Sequence, residues 1–145
     1  MSQKRTPSDR EHIELIEELH RRQGVMYAGG AIEPVTELLA PDIVWHVPGS
    51  SPIAGDHCGH EGVISYFKLR RALAQSSMRM HPRELLADGE ALVWLVDGSA
   101  RLDGQDVNWR TVGVYRIDRG RVREIWLVPL DLALFDRLWS AKAST

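Results

Sequence analysis

An α+β fold is predicted by three features of the sequence. Apolar residues recur at helical spacing between residues 13 and 28 and again between 60 and 74. After residue 77 the period changes to two. Glycine-bearing turns, "DGE", "DGQD" and "DRGR", then divide that region into strands of hairpin chemistry. Helices followed by an antiparallel meander imply a curved sheet with helices covering one face.

The elements follow in order. Ser8 reads as an N-cap, with Glu11 completing a capping box, and Ile13, Ile16, Leu19 and His20 continue a helix to about residue 28. "YAGG" ends it, because paired glycines tolerate left-handed backbone. A short helix fits 32–39, with Pro34 tolerated in its first turn. "PDIVWHVPG" is a strand ended by Pro48-Gly49, and a loop with a short strand near Asp56–Cys58 follows. The third helix runs from about His60 to Ala74 with Val63, Ile64, Phe67 and Leu73 inward. Strands fit 78–87, 91–103, 107–118 and 121–130, and "LDLALFDRLWS" closes the chain as an amphipathic turn or helix that Asp131 is suited to cap.

At 145 residues, one domain over 11–140 is expected, with a flexible lead-in at 1–10 and a flexible tail at 141–145. A net charge of −2 and the absence of a basic stripe argue against a nucleic-acid partner. Cys58 is the only cysteine, which excludes an internal disulfide and suits a reducing cytoplasm. The charged N-terminal segment has no apolar signal region and no stretch is apolar enough to span a membrane, so neither secretion nor a membrane is expected.

"LLAPDIVWHVPGSSPIAGDHCGHEGVISYF" and "VYRIDRGRVREIWLVPLD" resemble the SnoaL-like, ketosteroid-isomerase-like branch of the nuclear transport factor two-like superfamily, over roughly residues 11–139. The resemblance implies a cone-shaped sheet wrapped by three helices around a deep apolar pocket, often in a dimer. Ketosteroid isomerase pairs an Asp base with a Tyr and a protonated Asp as oxyanion donors. Alignment puts these at Val47, near Arg22 and at Gly113, so all three polar roles are missing. The carboxylate of limonene-epoxide hydrolases falls on Leu127.

The same alignment assigns faces. It turns Val93, Leu95, Asp97, Ser99 and Arg101 toward the pocket, with Trp45, Val47, Trp109, Thr111, Gly113, Tyr115, Ile125, Leu127 and Pro129. It leaves Trp94, Val96, Val112, Val114, Trp126 and Val128 on an outer apolar patch, read as an isologous homodimer interface.

Asp97 is then the expected acid or base, its pKa raised by desolvation; the competing reading pairs it with Arg101 at the rim. His57, beside the pocket mouth, and the Tyr27 phenol are the assisting candidates; the alternatives are a surface histidine and a packed tyrosine. Trp45, Val47, Leu95, Ser99, Arg101, Trp109, Thr111, Tyr115 and Leu127 are the expected substrate-binding residues, the tryptophans stacking on planar ligands or simply packing in the core. His46, His57, His60 and His81 lack metal-ligand spacing, so no metal and no cofactor are expected, and Cys58 has no nucleophile motif.

The resulting expectation is a cofactor-independent isomerase, cyclase or dehydratase acting on a polyketide- or terpenoid-like molecule. The alternative is a noncatalytic hydrophobic-ligand binder or dimeric interaction module. A cavity of roughly several hundred Å³ reaching Asp97 favours an enzyme or binder, whereas one filled by Trp45 and Trp109 favours neither.

Overall fold

Helix α1 (Pro7–Tyr27) opens the computed structural model, which describes residues 7–89 and 91–140. Ile13, Ile16, Leu19, Gln23 and Met26 fall three or four apart and are all buried, so one stripe of α1 faces inward. Gly29, at a φ of 111°, ends the helix with its N–H bonded to the Met26 carbonyl. Then come α2 (Glu33–Thr36), β1 (Leu39–Val47), β2 (Gly55–Cys58) and α3 (Gly59–Ala74), which ends on left-handed Gln75. The meander is β3 (Arg79–Asp88), β4 (Ala91–Leu102), β5 (Gln105–Asp118) and β6 (Arg121–Pro129). Asp131 caps the last helix, α4 (Leu132–Trp139), by accepting the Leu134 N–H at 3.0 Å.

Two bounds differ from expectation. Residues 7–10, expected in the lead-in, belong to α1; the flexible segments expected at 1–6 and 141–145 lie outside the described residues. The second helix is shorter than 32–39 because Leu39 already pairs with Val122 in the sheet.

The six strands form one curved, open sheet in the order β2-β1-β6-β5-β4-β3. Every pairing is antiparallel except β1 with β6, which is parallel. Helix α1 packs toward β3 and α3 toward β1 and β2, and the buried residues of both join one core with the inward side chains of the sheet. Between helices and sheet lies the core, from Ile16 and Leu19 through Phe67 to Trp139. Among the described residues no helix is long and apolar enough to cross a membrane.

Facing corrects the expectation for β4. Asp103 and Gly104, both left-handed (φ 51° and 76°), form a two-residue turn that places Leu102 opposite Gln105. Directly opposed residues share a sheet face. This register sets Gly98 opposite Trp109, Val96 opposite Thr111 and Trp94 opposite Gly113. The even-numbered side chains of β4 therefore share the inner face with the odd-numbered ones of β5. Leu92, Trp94, Val96, Ala100 and Leu102 are buried there. Val93, Leu95, Asp97, Ser99 and Arg101 lie on the opposite face, contrary to expectation. Trp94 and Val96 consequently leave the outer patch, and Val93 and Leu95 join Val112, Val114, Trp126 and Val128 on it.

Candidate functional site

A cavity of about 40 Å³ lies between the sheet and the helices. Helix α1 contributes His20, α3 contributes Arg70, and the sheet contributes Trp45, Trp109, Thr111 and Tyr115. His20 and Arg70 sit on largely apolar helix stripes, that of α1 also carrying the buried Gln23, which lines the cavity too. His20 is four residues after Ile16, and Arg70 is three after Phe67 and four before Ala74, all buried. Helical geometry thus carries His20, Gln23 and Arg70 into the core.

His20 Nε2 and the Tyr115 hydroxyl are 2.9 Å apart in a buried hydrogen bond. The imidazole packs against Trp94, with ring centroids 4.4 Å apart, and its Nδ1 has no hydrogen-bond partner within the protein. Burial pushes the His20 pKa down to about 4, so the ring is neutral at pH 7. Burial, and then the nearby Tyr66 phenol, push Tyr115 up. A neutral imidazole has one N–H and one bare nitrogen. If Tyr115 donates to Nε2, Nδ1 carries the proton; if Nε2–H donates to Tyr115, Nδ1 is a free acceptor.

Tyr115 is held there by a missing side chain. A Cβ on Gly113 would lie 2.5 Å from Tyr115 Oη, so the phenol occupies space that any larger residue at 113 would claim. Position 113 is where the isomerase alignment seeks an acidic oxyanion donor. Here a hydroxyl from two residues on fills that space. Gly98 acts likewise for Trp109, whose indole Cε2 lies 2.3 Å from where the Cβ would be.

Arg70 is 4% exposed. One of its terminal nitrogens donates to Tyr66 Oη at 2.8 Å, and its Nε has no partner. Its guanidinium carbon is 4.5 Å from the Trp139 ring centre and 5.7 Å from that of Trp109.

Of the sequence-predicted residues, Trp45, Trp109, Thr111, Tyr115 and Leu127 line the cavity. Val47 is buried in the core. Tyr27 is buried beside Phe67, its hydroxyl unpartnered; burial, and then Tyr66, push its pKa well up against the opposing pull of Arg70. His57 stacks on Tyr66 at 4.6 Å and donates from Nε2 to the Ile53 carbonyl at 2.9 Å. Leu95, Ser99 and Arg101 are outside the cavity, and Arg101 pairs with Asp106 at 3.4 Å. Asp97 is corrected too: it is on the outer face, accepting from Arg110 at 3.0 Å, with Arg83 at 3.6 Å. An ion pair does hold it, but not with Arg101.

His20 and Arg70 were missed as site residues. Their signal was a polar residue on an apolar helical stripe, which sequence reasoning absorbed as core for His20 and passed over for Arg70. On the outer face, His46 bridges Asp56 and Glu124, each at 2.7 Å, and stacks on Trp126. Partial burial opposes its charged form, but the hydrogen bonds to Glu124 and Asp56 outweigh it and raise the pKa. Among the described residues no group of three His, Cys, Asp or Glu is arranged to hold a metal.

Comparison with known proteins bears on the fold. The chain resembles Bal32a from a soil-derived mobile gene cassette (TM-score 0.80, 23% identity, 90% of this chain and 98% of that one). It is also similar to a protein of unknown function with a cystatin-like fold from Xanthomonas campestris (TM-score 0.77, 20% identity, 88% and 96%). A third relative in structure is a protein from Jannaschia sp. CCS1 named as a SnoaL-like polyketide cyclase (TM-score 0.79, 18% identity, 97% and 99%). At such identities the likeness shows the fold alone. No curated protein matches the sequence. The profile of the SnoaL-like domain matches residues 21–125, well over half of the sequence, and the chain therefore belongs to the SnoaL-like family.

Proposed function

We propose that this protein is a cofactor-independent acid–base enzyme acting on a compact, largely apolar molecule held in the inner cavity. The observation that carries this reading is the buried His20–Tyr115 pair, with one imidazole nitrogen bonded to the phenol and the other unpartnered. Such a pair can accept a proton at one end and donate at the other. The Tyr115 O–H would hydrogen-bond a substrate carbonyl as it gains negative charge, while His20 takes a proton from the neighbouring carbon and returns it elsewhere. Return to another carbon gives isomerisation, and delivery to a departing hydroxyl gives dehydration. If the carbanion attacks a second carbonyl instead, the ring closes. A developing anion nearby raises the depressed imidazole pKa again, which makes the base stronger when it is needed.

Cavity volume narrows the substrate. About 40 Å³ is far below the roughly 300–1,000 Å³ of drug-sized sites, so a polycyclic ligand requires neighbouring side chains to move. Met78 and Met80 line the cavity and are the most adaptable residues there. The same volume favours a second reading: a noncatalytic member that acts as a dimeric module. Val93, Leu95, Val112, Val114, Trp126 and Val128 give the outer face an apolar stripe suited to an isologous homodimer.

Solvent exchange separates the readings without knowledge of the substrate. The protein is incubated in D₂O with small enolisable ketones, and loss of the α-proton signal is followed by NMR. Acceleration should fall by about 10²–10⁴ in Tyr115→Phe and in His20→Phe, the usual worth of one acid–base group. Asp97→Asn should exchange as the parent does. No acceleration by the parent, or full acceleration by Tyr115→Phe, overturns the proposal.

A further inference from the structure

We propose that Arg70 makes the cavity an anion site, and that the compact ligand carries a carboxylate. The inference rests on the reading that the cavity takes a ligand, and it adds the ligand's charge. Arg70 is 4% exposed, lines the cavity, and forms no ion pair with any carboxylate among the described residues. A buried guanidinium without a counter-charge is costly unless something offsets it.

One hydrogen bond and a cage of rings offset it in part. Tyr66 Oη accepts one N–H, and the rings of Trp139, Phe135, Trp109 and Tyr27 lie 4.5–6.0 Å from the guanidinium carbon. Aromatic rings attract the cation but do not accept the in-plane N–H groups of its edge. The Nε–H of Arg70 has no acceptor, and neither has the Nε1–H of Trp45, which lines the same cavity. Two donors without acceptors and one unmatched positive charge call for an anion with two oxygens. Carboxylate fits: it is planar, accepts two parallel N–H bonds from an arginine fork, and is small enough for a cavity of about 40 Å³. Among the other lining residues, Val96, Ile125 and Leu127 offer apolar surface to a short hydrocarbon tail.

The test compares propionate with propionamide, matched in size and different in charge. Each is titrated into the full chain at pH 7, with binding read from the indole N–H resonances. Propionate should bind about tenfold or more tightly than propionamide. Arg70→Met should abolish that preference while leaving propionamide affinity in place. Arg70→Lys keeps the charge but loses the fork, and should reduce the preference severalfold; Arg70→Gln, which removes the charge and keeps a polar donor, decides the matter if Arg70→Met does not fold. Equal affinity of the parent for both probes, or an undiminished preference in Arg70→Met (in Arg70→Gln where that variant does not fold), overturns the anion site and leaves the exchange of neutral ketones untouched. Binding of neither probe overturns the anion site, and the ketone assay then shows separately whether the cavity works at all.

Discussion

Gly113 is the position where a single methyl group tests the site's construction. Its added Cβ would lie 2.5 Å from Tyr115 Oη, 2.7 Å from Cζ and 2.8 Å from Cε2. Ordinary carbon contacts begin near 3.5 Å, so the phenol must retreat by roughly 1 Å. A retreat of that size breaks the 2.9 Å bond to His20 and drives the ring into a packed core. Overpacking of this kind costs about 1–3 kcal/mol. Replacing glycine returns about 0.4–1 kcal/mol through the unfolded chain, since position 113 has no left-handed backbone to strain. Gly113→Ala should therefore be destabilised by about 1–2 kcal/mol in urea unfolding at pH 7.5. In a Tyr115→Leu background the clash is gone, and the same substitution should be neutral or stabilising. A parent-like Gly113→Ala, or an equal cost in both backgrounds, refutes the placement of Tyr115 over Gly113.

Three further outcomes follow. The folded state lowers the His20 pKa from 6.5 to about 4, so its contribution is complete above pH 6.5 and is lost as pH falls toward 4. That shift amounts to about 3 kcal/mol, and the urea stability of the parent should fall relative to His20→Gln by about that much across the window. His46 has the opposite sign: its pKa is raised on folding, so its contribution is present below 6.5 and is lost as pH climbs through the folded value. Trp126→Ser should shift the proposed dimer to monomer in sedimentation velocity, and a monomeric parent removes the outer-face interface.

The fold was legible because its signals were local. Gly29 at the end of α1, the two-residue turns at Asp103-Gly104 and Arg119-Gly120 and the alternation of β5 each specify their element without help from distant residues. The facing of β4 was harder to read. Val93 and Leu95 are as apolar as Leu92 and Trp94, since the outer face is itself apolar. Gly98 and Ala100 add little hydrophobic weight to the inner one. Alternation therefore left the phase of β4 undecided, and the resemblance chose the wrong one. The turn held the answer: two residues at Asp103-Gly104 force an odd pairing sum, which joins even positions of β4 to odd positions of β5. Tyr115, Trp109 and Thr111 were found because the phase of β5 was read correctly. Arg70 was overlooked because charged residues are seldom buried, and nothing local announces the exception.

A neutral imidazole, bonded to Tyr115 and shielded from water, lines the inner cavity. Nitrogen-15 NMR of the His20 ring across pH 3.5–8 measures it directly. The ring should be singly protonated at pH 6 and gain its second proton only near pH 4, with the Nε2 shift altered in Tyr115→Phe. A midpoint near 6.5, unaffected by that substitution, would contradict it.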